Sequence, residues 1–282
     1  MPKFLNLGCG ARFCTAPDWI NIDFQSFSPN VKQYDLKQGI PFADDSVDAV
    51  YHSHVLEHFP TPEAVRFLAE CRRVLKPGGI VRVVVPDLES IAKAYLQALD
   101  KAAGGEESWQ QNYEWLMIEL YDQAVRDTPG GEMGSYLRAE KIPNLDFVLE
   151  RGGIEVLDIM KAARQEAQAE GGAGRSGLRR MLGRLYWGLR RAGFGREALV
   201  HLLLGRDYDA LRMGRFRRSG EPHLWMYDRY SLPRTLRRAG FQNPQLLTPA
   251  TSQIPNWVEF NLDTEPDGTV YKPHSLYAEA LK

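Results

Sequence analysis

The 282-residue sequence predicts an α/β fold whose doubly wound, mostly parallel sheet is interrupted by a helical insertion before its last strands. Short apolar segments alternate with turns and helices over residues 3–90, as expected of parallel strands joined by crossovers. The alternation stops after Gly104 and returns near Asp228. We therefore expect one large domain made of residues 1–103 and 223–282, with residues 104–222 forming a helical, arginine-rich cap.

Turn residues and apolar runs define the individual elements. A helix is expected over TPEAVRFLAECRRVL, with Thr61 as its N-cap and Pro62 at the first helical position, and KPGG is expected to end it. Asp87 is expected to cap a helix over residues 88–103, and DRYSLPRTLRRAGF predicts another. The predicted strands are KFLNL, WINID, VKQYD, SVDAVYHSHV and IVRVVVPD, followed near the end of the chain by NPQLLTPA, NWVEFNL and SLYAEALK.

Composition excludes several classes of protein. The formal net charge of -1 points to no charged partner. The three cysteines lack paired spacing, so we expect no disulfide framework and a cytoplasmic location. The longest apolar runs, IVRVVV and ALVHLLL, are far shorter than the roughly 18 residues of a membrane span, and we expect no signal peptide.

The stretch LNLGCGARFCTAPDWINID places a Gly-x-Gly turn directly after the first strand. The backbone N–H groups of such a turn can hold a carboxylate or a phosphate, and an acidic residue that closes the next strand, here Asp23, can bind ribose hydroxyls. Phe13 stands where a dinucleotide-binding turn has its third glycine, so a ligand with ribose but no pyrophosphate fits better. S-adenosylmethionine is such a ligand, although turn geometry alone also explains the pattern.

Four segments in register make the pattern specific. LNLGCG, INIDF, YDLKQGIPFADDSVDAVYHSHVLEHF and ECRRVLKPGGIVRVVVPD resemble class I S-adenosylmethionine-dependent methyltransferases, most closely the type 11 branch of small bacterial proteins often associated with surface-glycan genes. The resemblance covers residues 3–90 closely and 223–282 more loosely. It implies a seven-stranded sheet, S-adenosylmethionine as cofactor, and methyl transfer to a polar oxygen or nitrogen acceptor such as a glycan or glycan precursor. The alternative is a catalytically inactive binding or scaffold protein with this fold.

The resemblance also implies where the cofactor lies. The residues that it places there follow strand ends: Gly8, Cys9 and Gly10 at the methionine end, Asp23 at the ribose, Asp35 and Leu36 at the adenine, and Ser53 and His54 at the sulfonium. Two features depart from the family pattern. Arg12 occupies the position of a third glycine, and the short loop ARFCTAPDW replaces a full helix. Arg12 is either a ligand of the cofactor carboxylate or an exposed loop residue.

The segment HSHVLEHF supplies the candidate catalytic groups. A hydroxyl acceptor needs a base, for which His54, His58 and His223 are the candidates, unless these histidines only make hydrogen bonds in the loop. No metal is expected. The weaker alternative is a site of His54, Glu57, His58 and His223, because some O-methyltransferases of small RNAs and quinones carry E-x-x-E-H here and hold a magnesium-like ion. Histidine is a poorer ligand for such a hard cation.

The same residues match one unrelated signature. H-x-x-E-H is also the pattern of an inverted zinc peptidase, which would make the protein a zinc hydrolase. We discount this interpretation, because the motif follows a strand and Pro60 interrupts the long helix that such a site needs.

The predicted cap is rich in arginine. Between Glu170 and Gly240 there are sixteen arginines, no lysine and six acidic residues. This pattern indicates a solvated basic face, a site for an anionic acceptor, or peripheral contact with an anionic membrane. Nucleic acid is not expected, because the pI is near 6.6 and no nucleic-acid module is present. Residues 165–177, QEAQAEGGAGRSG, predict a mobile linker, and Trp225, Tyr227 and Tyr230 either stack on a ligand or belong to the core of the cap.

Overall fold

The computed structural model describes residues 2–26, 28–171 and 192–282. Its centre is a seven-stranded sheet with the order β3-β2-β1-β4-β5-β7-β6. The strands are β1 (Phe4–Leu7), β2 (Trp19–Asp23), β3 (Val31–Gln33), β4 (Val47–Ser53), β5 (Leu75–Pro86), β6 (Gln242–Leu247) and β7 (Ser275–Leu281). β7 runs antiparallel to both of its neighbours, while β1 to β5 are parallel. The predicted doubly wound, mostly parallel fold is confirmed.

Helices flank the sheet and build the cap. They are α1 (Thr61–Val74), α2 (Leu88–Ala103), α3 (Gln110–Met117), α4 (Gln123–Val125), α5 (Gly131–Leu137), α6 (Leu145–Gly171), α7 (Ala192–Leu204), α8 (Asp207–Arg217) and α9 (Ser231–Arg238). Shorter 3₁₀ turns lie at Leu36–Gln38, Leu56–His58, Glu107–Trp109 and Trp257–Phe260, and Ile118–Asp122 is a π-helical turn. The predicted loop between β1 and β2 is confirmed, because β2 follows β1 with no helix between them.

Several predicted boundaries are wrong for local reasons. Pro60, not Thr61, precedes α1, because the Pro60 carbonyl oxygen accepts the first hydrogen bonds of the helix, from the N–H groups of Glu63 and Ala64. KPGG lies within β5 and does not separate α1 from it. Residues 165–171 of the predicted linker belong to α6, and residues 172–177 lie outside the described part of the chain.

NWVEFNL is not a strand, although its apolar residues alternate as in one. It forms the 3₁₀ turn Trp257–Phe260. Asn256 and Asn261 flank that turn with φ values of 58° and 50°, in the left-handed region that asparagine tolerates and a strand does not use.

The predicted cap of α2 is confirmed, since the Asp87 side chain accepts a hydrogen bond from the N–H of Glu89 at 3.0 Å.

The two faces of the sheet are covered differently. Leu5 and Leu7 of β1 point to the face that packs on α1 and α9, and Phe4 points to the other face, as the period of two in a strand requires. The second face lacks the helix that would follow β1. Residues 248–264 cover it instead, and their Trp257 packs 6.2 Å from Trp19 and 5.1 Å from Tyr51, measured between ring centroids.

A buried ion cluster fixes that covering segment. Arg82 of β5 is fully buried and lies 2.8 Å from carboxylate oxygens of both Asp263 and Glu279. Its guanidinium also lies 4.5 Å from the ring centroid of Trp257, and the Tyr51 hydroxyl donates a hydrogen bond to Asp263 at 2.6 Å. A buried charge is tolerated only when it is paired in this way, so these contacts determine where the segment lies on the sheet.

The cap has its own apolar cluster and docks on the segment before β7. The cluster contains Trp115, Leu116, Val148 and Met160 of the cap together with Ala98 of α2. α6 is kinked at Gly153, where φ is 62° and ψ is -147°. A side chain at Gly153 would overlap Tyr271 and Pro273, so only glycine allows this close approach.

Among the helices of the described residues, none combines the length and the apolarity that crossing a membrane requires.

The first prediction concerns His52, which is fully buried in β4 against Phe67. Neither ring nitrogen has a hydrogen-bond partner among the described residues, and burial lowers the pKa of His52 to about 3. The unfolded chain binds a proton near pH 6.5 and the folded chain does not, so this residue removes about 2 kcal/mol of stability between pH 8 and pH 5. His52→Leu should abolish that part of the acid destabilisation, as measured by urea unfolding at the two pH values.

The control is His201→Gln, at an exposed histidine of α7, which shows the effect of removing a histidine outside the core. An equal loss of stability towards pH 5 in wild type and His52→Leu would contradict the prediction.

Candidate active site

The glycine turn follows β1, and a hydrogen bond joins it to the residue that ends β2. Gly8 and Gly10 have φ values of 64° and 52°, and the N–H of Gly10 donates a hydrogen bond to Asp23 Oδ2 at 2.8 Å. A side chain at Gly8 would overlap Val55, whereas nothing lies within 4 Å of a Cβ built at Gly10. The turn is therefore packed on its Gly8 side and open on its Gly10 side, where a ligand could approach the backbone.

The other residues predicted at the cofactor lie along the same edge of the sheet. Asp35 follows β3 and accepts a hydrogen bond from the N–H of Lys37 at 3.0 Å, at the start of the 3₁₀ turn that begins with Leu36. Ser53 ends β4, the strand on the other side of β1. Because the chain leaves β1 towards β2 and returns at β4, these strand ends form the crevice in which open α/β sheets bind ligands.

Two residues of the turn have side chains with structural contacts. Cys9 is buried, and desolvation, together with the nearby charge of Asp23, raises the pKa of its thiol to about 12. Arg12 Nη1 lies 2.7 Å from Glu265 Oε1, its Nη2 donates to the carbonyl oxygen of Thr264 at 2.8 Å, and its guanidinium stacks on Tyr271. Arg12 thus fastens the loop to the C-terminal segment, and its role as a cofactor ligand stays a prediction.

A cavity opens at the same edge, between the ends of β4, β5 and β7 and the inner side of the cap. Its charged side chains are paired: Arg151 with Glu119 at 2.6 Å, and Lys272 with Glu155 at 2.8 Å. The residues around it come from three parts of the chain: His54, Pro86 and Ser275 from strand ends, Trp115, Glu119, Arg151 and Glu155 from the cap, and His223, Met226, Lys272 and His274 from the connecting segments.

His54 lies between the cavity and Glu57. Its φ of 54° is unusual for a residue other than glycine, and it turns the chain sharply after β4. Its Nε2 lies 2.9 Å from Ser275 Oγ, and its Nδ1 lies 3.7 Å from Glu57 Oε1. The hydrogen bond to Ser275 therefore orients the His54 ring.

The structure brings the three predicted candidate bases together. The ring centroids of His58 and His223 are 4.9 Å apart, and His223 Nε2 lies 3.9 Å from Glu57 Oε1. Desolvation is the largest cause that lowers the pKa of His54, His58 and His223, and it raises the pKa of Glu57 to about 8. These close approaches are therefore contacts between neutral groups at neutral pH, and a neutral imidazole is the form that accepts a proton.

Several residues of this region have no local signature in the sequence. Lys272, His274 and Ser275 reach the cavity only because β7 is inserted next to β5, a pairing of segments almost 200 residues apart. Glu119 belongs to a π-helical turn, a rare element that often marks functional sites.

The inverted zinc-peptidase interpretation does not fit the geometry. His58 ends a three-residue 3₁₀ turn and His54 lies outside it in a left-handed conformation, so the motif forms no long helix.

Of the aromatic candidates, Tyr227 is fully buried, whereas Trp225 and Tyr230 are exposed. The exposed arginines of α8 do not line the cavity described above, so an anionic acceptor and a membrane contact stay predictions.

Comparison with known proteins finds a match for the part of the chain that carries the ends of β2, β3 and β4. Residues 18–83 match the family model described as methyltransferase domain. This segment is related to the methyltransferase domains. It runs from the start of β2 into β5, so it contains Asp23, Ser53, His54 and the residues of α1. The cofactor that the match implies for the methyltransferase segment is S-adenosylmethionine.

One curated relative and several solved structures are similar to the chain. A sterol 24-C-methyltransferase of Gibberella zeae is 36% identical over 83 residues, which is 29% of this chain and only 14% of that enzyme. A SAM-dependent methyltransferase structure from Archaeoglobus fulgidus aligns with all of this chain and 86% of its own, at 12% identity and a TM-score of 0.41. Another, from Aquifex aeolicus, aligns with 30% of this chain and 57% of its own, at 21% identity and a TM-score of 0.25. At these TM-scores the alignments add nothing to the sheet order given above.

The packing of the turn predicts different outcomes for its two glycines. Gly8→Ala combines a left-handed backbone with overlap on Val55, and we expect it to lower the free energy of unfolding by about 2–5 kcal/mol. Gly10→Ala has the same backbone penalty and free space, so the loss should be about 1–2 kcal/mol. Urea unfolding followed by circular dichroism measures both. Equal losses would show that Val55 does not pack against the turn as described.

Proposed function

We propose that this protein is an S-adenosylmethionine-dependent methyltransferase that methylates a hydroxyl or amine group held in the cavity beside His54. The observation that carries the proposal is the arrangement at one edge of the sheet. The open side of Gly10, hydrogen-bonded to Asp23, lies at the ends of β1 and β2, and the cavity beside His54 lies at the ends of β4, β5 and β7, along the same edge of the sheet. A cofactor bound along the turn would have its reactive end next to the cavity.

The proposed reaction needs few groups. Bound S-adenosylmethionine would supply an activated methyl group: the acceptor oxygen or nitrogen would gain the methyl carbon as the carbon–sulfur bond breaks, and the sulfonium would become a neutral thioether. The proton of the acceptor passes to a base, for which the neutral imidazoles of His54 and His223 are placed at the cavity. The remaining task is to align the acceptor with the carbon–sulfur bond and to exclude water, which the cap over the cavity serves.

A glycan or glycan precursor is the acceptor class that we propose. The cavity offers polar side chains of both signs that are paired with each other, Arg151 with Glu119 and Lys272 with Glu155, and hydroxyl groups can both donate to and accept from such pairs. Trp225 is 50% exposed and follows His223 and precedes Met226 in the sequence, two residues that line the cavity, although Trp225 itself does not line it. Its flat apolar face could stack on a sugar ring.

Cofactor binding is tested by calorimetric titration of the protein with S-adenosylmethionine and its demethylated product. Asp23→Ala removes a charged acceptor for the ribose hydroxyls, so we expect binding to weaken by about 10- to 100-fold. Asp100→Ala, at an exposed aspartate of α2, is the matched control and should bind like wild type. Circular dichroism shows whether each variant is folded. A folded wild type that binds neither compound would contradict the proposal and favour the scaffold alternative.

The acceptor is tested separately with S-adenosylmethionine that carries a labelled methyl group. Label should appear on oligosaccharides or sugar nucleotides in a panel of polar acceptors. His54→Gln should lower the turnover, because it removes a candidate base at the cavity, and calorimetric titration of the same variant shows how much its predicted position at the sulfonium contributes to cofactor affinity. Label transfer only to non-glycan acceptors would refute the glycan part of the proposal alone.

A further inference from the structure

Glu57, His58 and His223 form a cluster of metal-ligating side chains next to the cavity. One carboxylate oxygen and one nitrogen from each imidazole all lie within 4.8 Å of one another. Glu57 and His58 come from the turn after β4, and His223 comes from the segment before α9. The cluster is therefore assembled from two distant parts of the chain.

Main-chain hydrogen bonds hold the two parts together. The carbonyl oxygen of Glu57 accepts hydrogen bonds from the N–H groups of Leu224 at 2.7 Å and Trp225 at 3.1 Å. The N–H of His223 donates to the carbonyl oxygen of Gln123 at 2.8 Å. The backbone thus places His223 beside Glu57 independently of any contact between their side chains.

The burial of the Glu57 carboxyl group points to a bound ion independently of the spacing of the three side chains. It is fully buried, and neither of its oxygens has a hydrogen-bond partner among the described residues. An unpaired buried carboxyl group is costly, and a cation is one of the few partners that would compensate for its burial. His58 Nδ1 lies 3.2 Å from the Pro222 carbonyl oxygen, so a ring that is protonated at Nδ1 keeps its Nε2 lone pair, the usual arrangement of a metal-bound histidine.

The donor set selects the type of ion. Two imidazoles and one carboxylate suit Zn²⁺ and the neighbouring first-row transition metals, whereas Mg²⁺ and Ca²⁺ prefer oxygen ligands. Ligand atoms of a tetrahedral zinc site lie about 3.4 Å apart, so the cluster, whose ligand atoms lie within 4.8 Å of one another, would have to contract when the ion binds. The sequence favoured no metal, because histidine is a poor ligand for a magnesium-like ion and Pro60 interrupts the helix that a zinc peptidase needs.

We propose that Glu57, His58 and His223 bind one divalent transition-metal ion, best matched by Zn²⁺, and leave a coordination position open to the cavity. His223 contributes to both the cluster and the cavity lining, so an ion bound there would adjoin the acceptor position. With its imidazole on the ion His223 would not accept a proton, and His54 would be the base. At that position the ion would hold the acceptor oxygen and lower its pKa, a role that rests on the proposed function. Metal binding itself does not depend on that function.

The test uses the full-length protein after removal of metals with a chelator, in the absence of S-adenosylmethionine. Titration with Co²⁺, followed by its visible absorption, and competition with Zn²⁺ should show one ion per chain. Glu57→Gln and His223→Gln should each weaken binding at least tenfold. His201→Gln, at an exposed histidine outside the cluster, is the matched control and should bind like wild type.

Binding to wild type that is no stronger than binding to folded Glu57→Gln and His223→Gln would overturn the proposal, as would the absence of a saturable site. His58→Gln provides a third variant if either of the others fails to fold. The metal titration contains no cofactor, so its result does not depend on the proposed function. A protein that binds the metal but not S-adenosylmethionine would refute the proposed function and leave this inference intact.

Discussion

The buried guanidinium of Arg82 fixes the position of the segment that covers the sheet face without a helix. Because β2 follows β1 through a short loop, Trp19 and Tyr51 need another cover, and Trp257 supplies it. Apolar packing alone is not directional, whereas Arg82 bonds to Asp263 and Glu279 in a fixed geometry. Removing one partner of such a buried pair typically costs about 3–5 kcal/mol, so the position of the covering segment depends on this cluster.

The same segment of the chain then organises the candidate site. Continuing from Asp263, it contacts Arg12 of the cofactor loop through Glu265, Glu155 of the cap through Lys272, and His54 through Ser275. The loop, the cap and the histidine that borders the cavity are therefore fastened to one piece of chain. An alteration at Arg82 would reach the site through this segment, although Arg82 itself touches none of the residues predicted to bind the cofactor.

Features of the fold that depend on neighbouring residues were predictable, and those that depend on distant pairings were not. The glycine turn, the strand ends and the Asp87 cap follow from local sequence, and the structure has them in place. The sequence shows Arg82 and Glu279 only as lone charges in apolar strands. They face each other because β7 is inserted beside β5, a register that no local pattern encodes. NWVEFNL alternates like a strand, but the tertiary contacts of Trp257 override that pattern.

Three places where the structure breaks local rules lie beside the cavity. His54 has a left-handed backbone, Glu57 is buried without a hydrogen-bond partner among the described residues, and Glu119 lies in a π-helical turn. Each feature costs stability, and such features persist where the surrounding structure compensates for them. The sheet and its two covered faces supply that compensation. Strained or unpaired groups scattered over the surface would indicate nothing, but three of them beside one cavity, at the edge where α/β sheets bind ligands, indicate a site that stability alone does not explain.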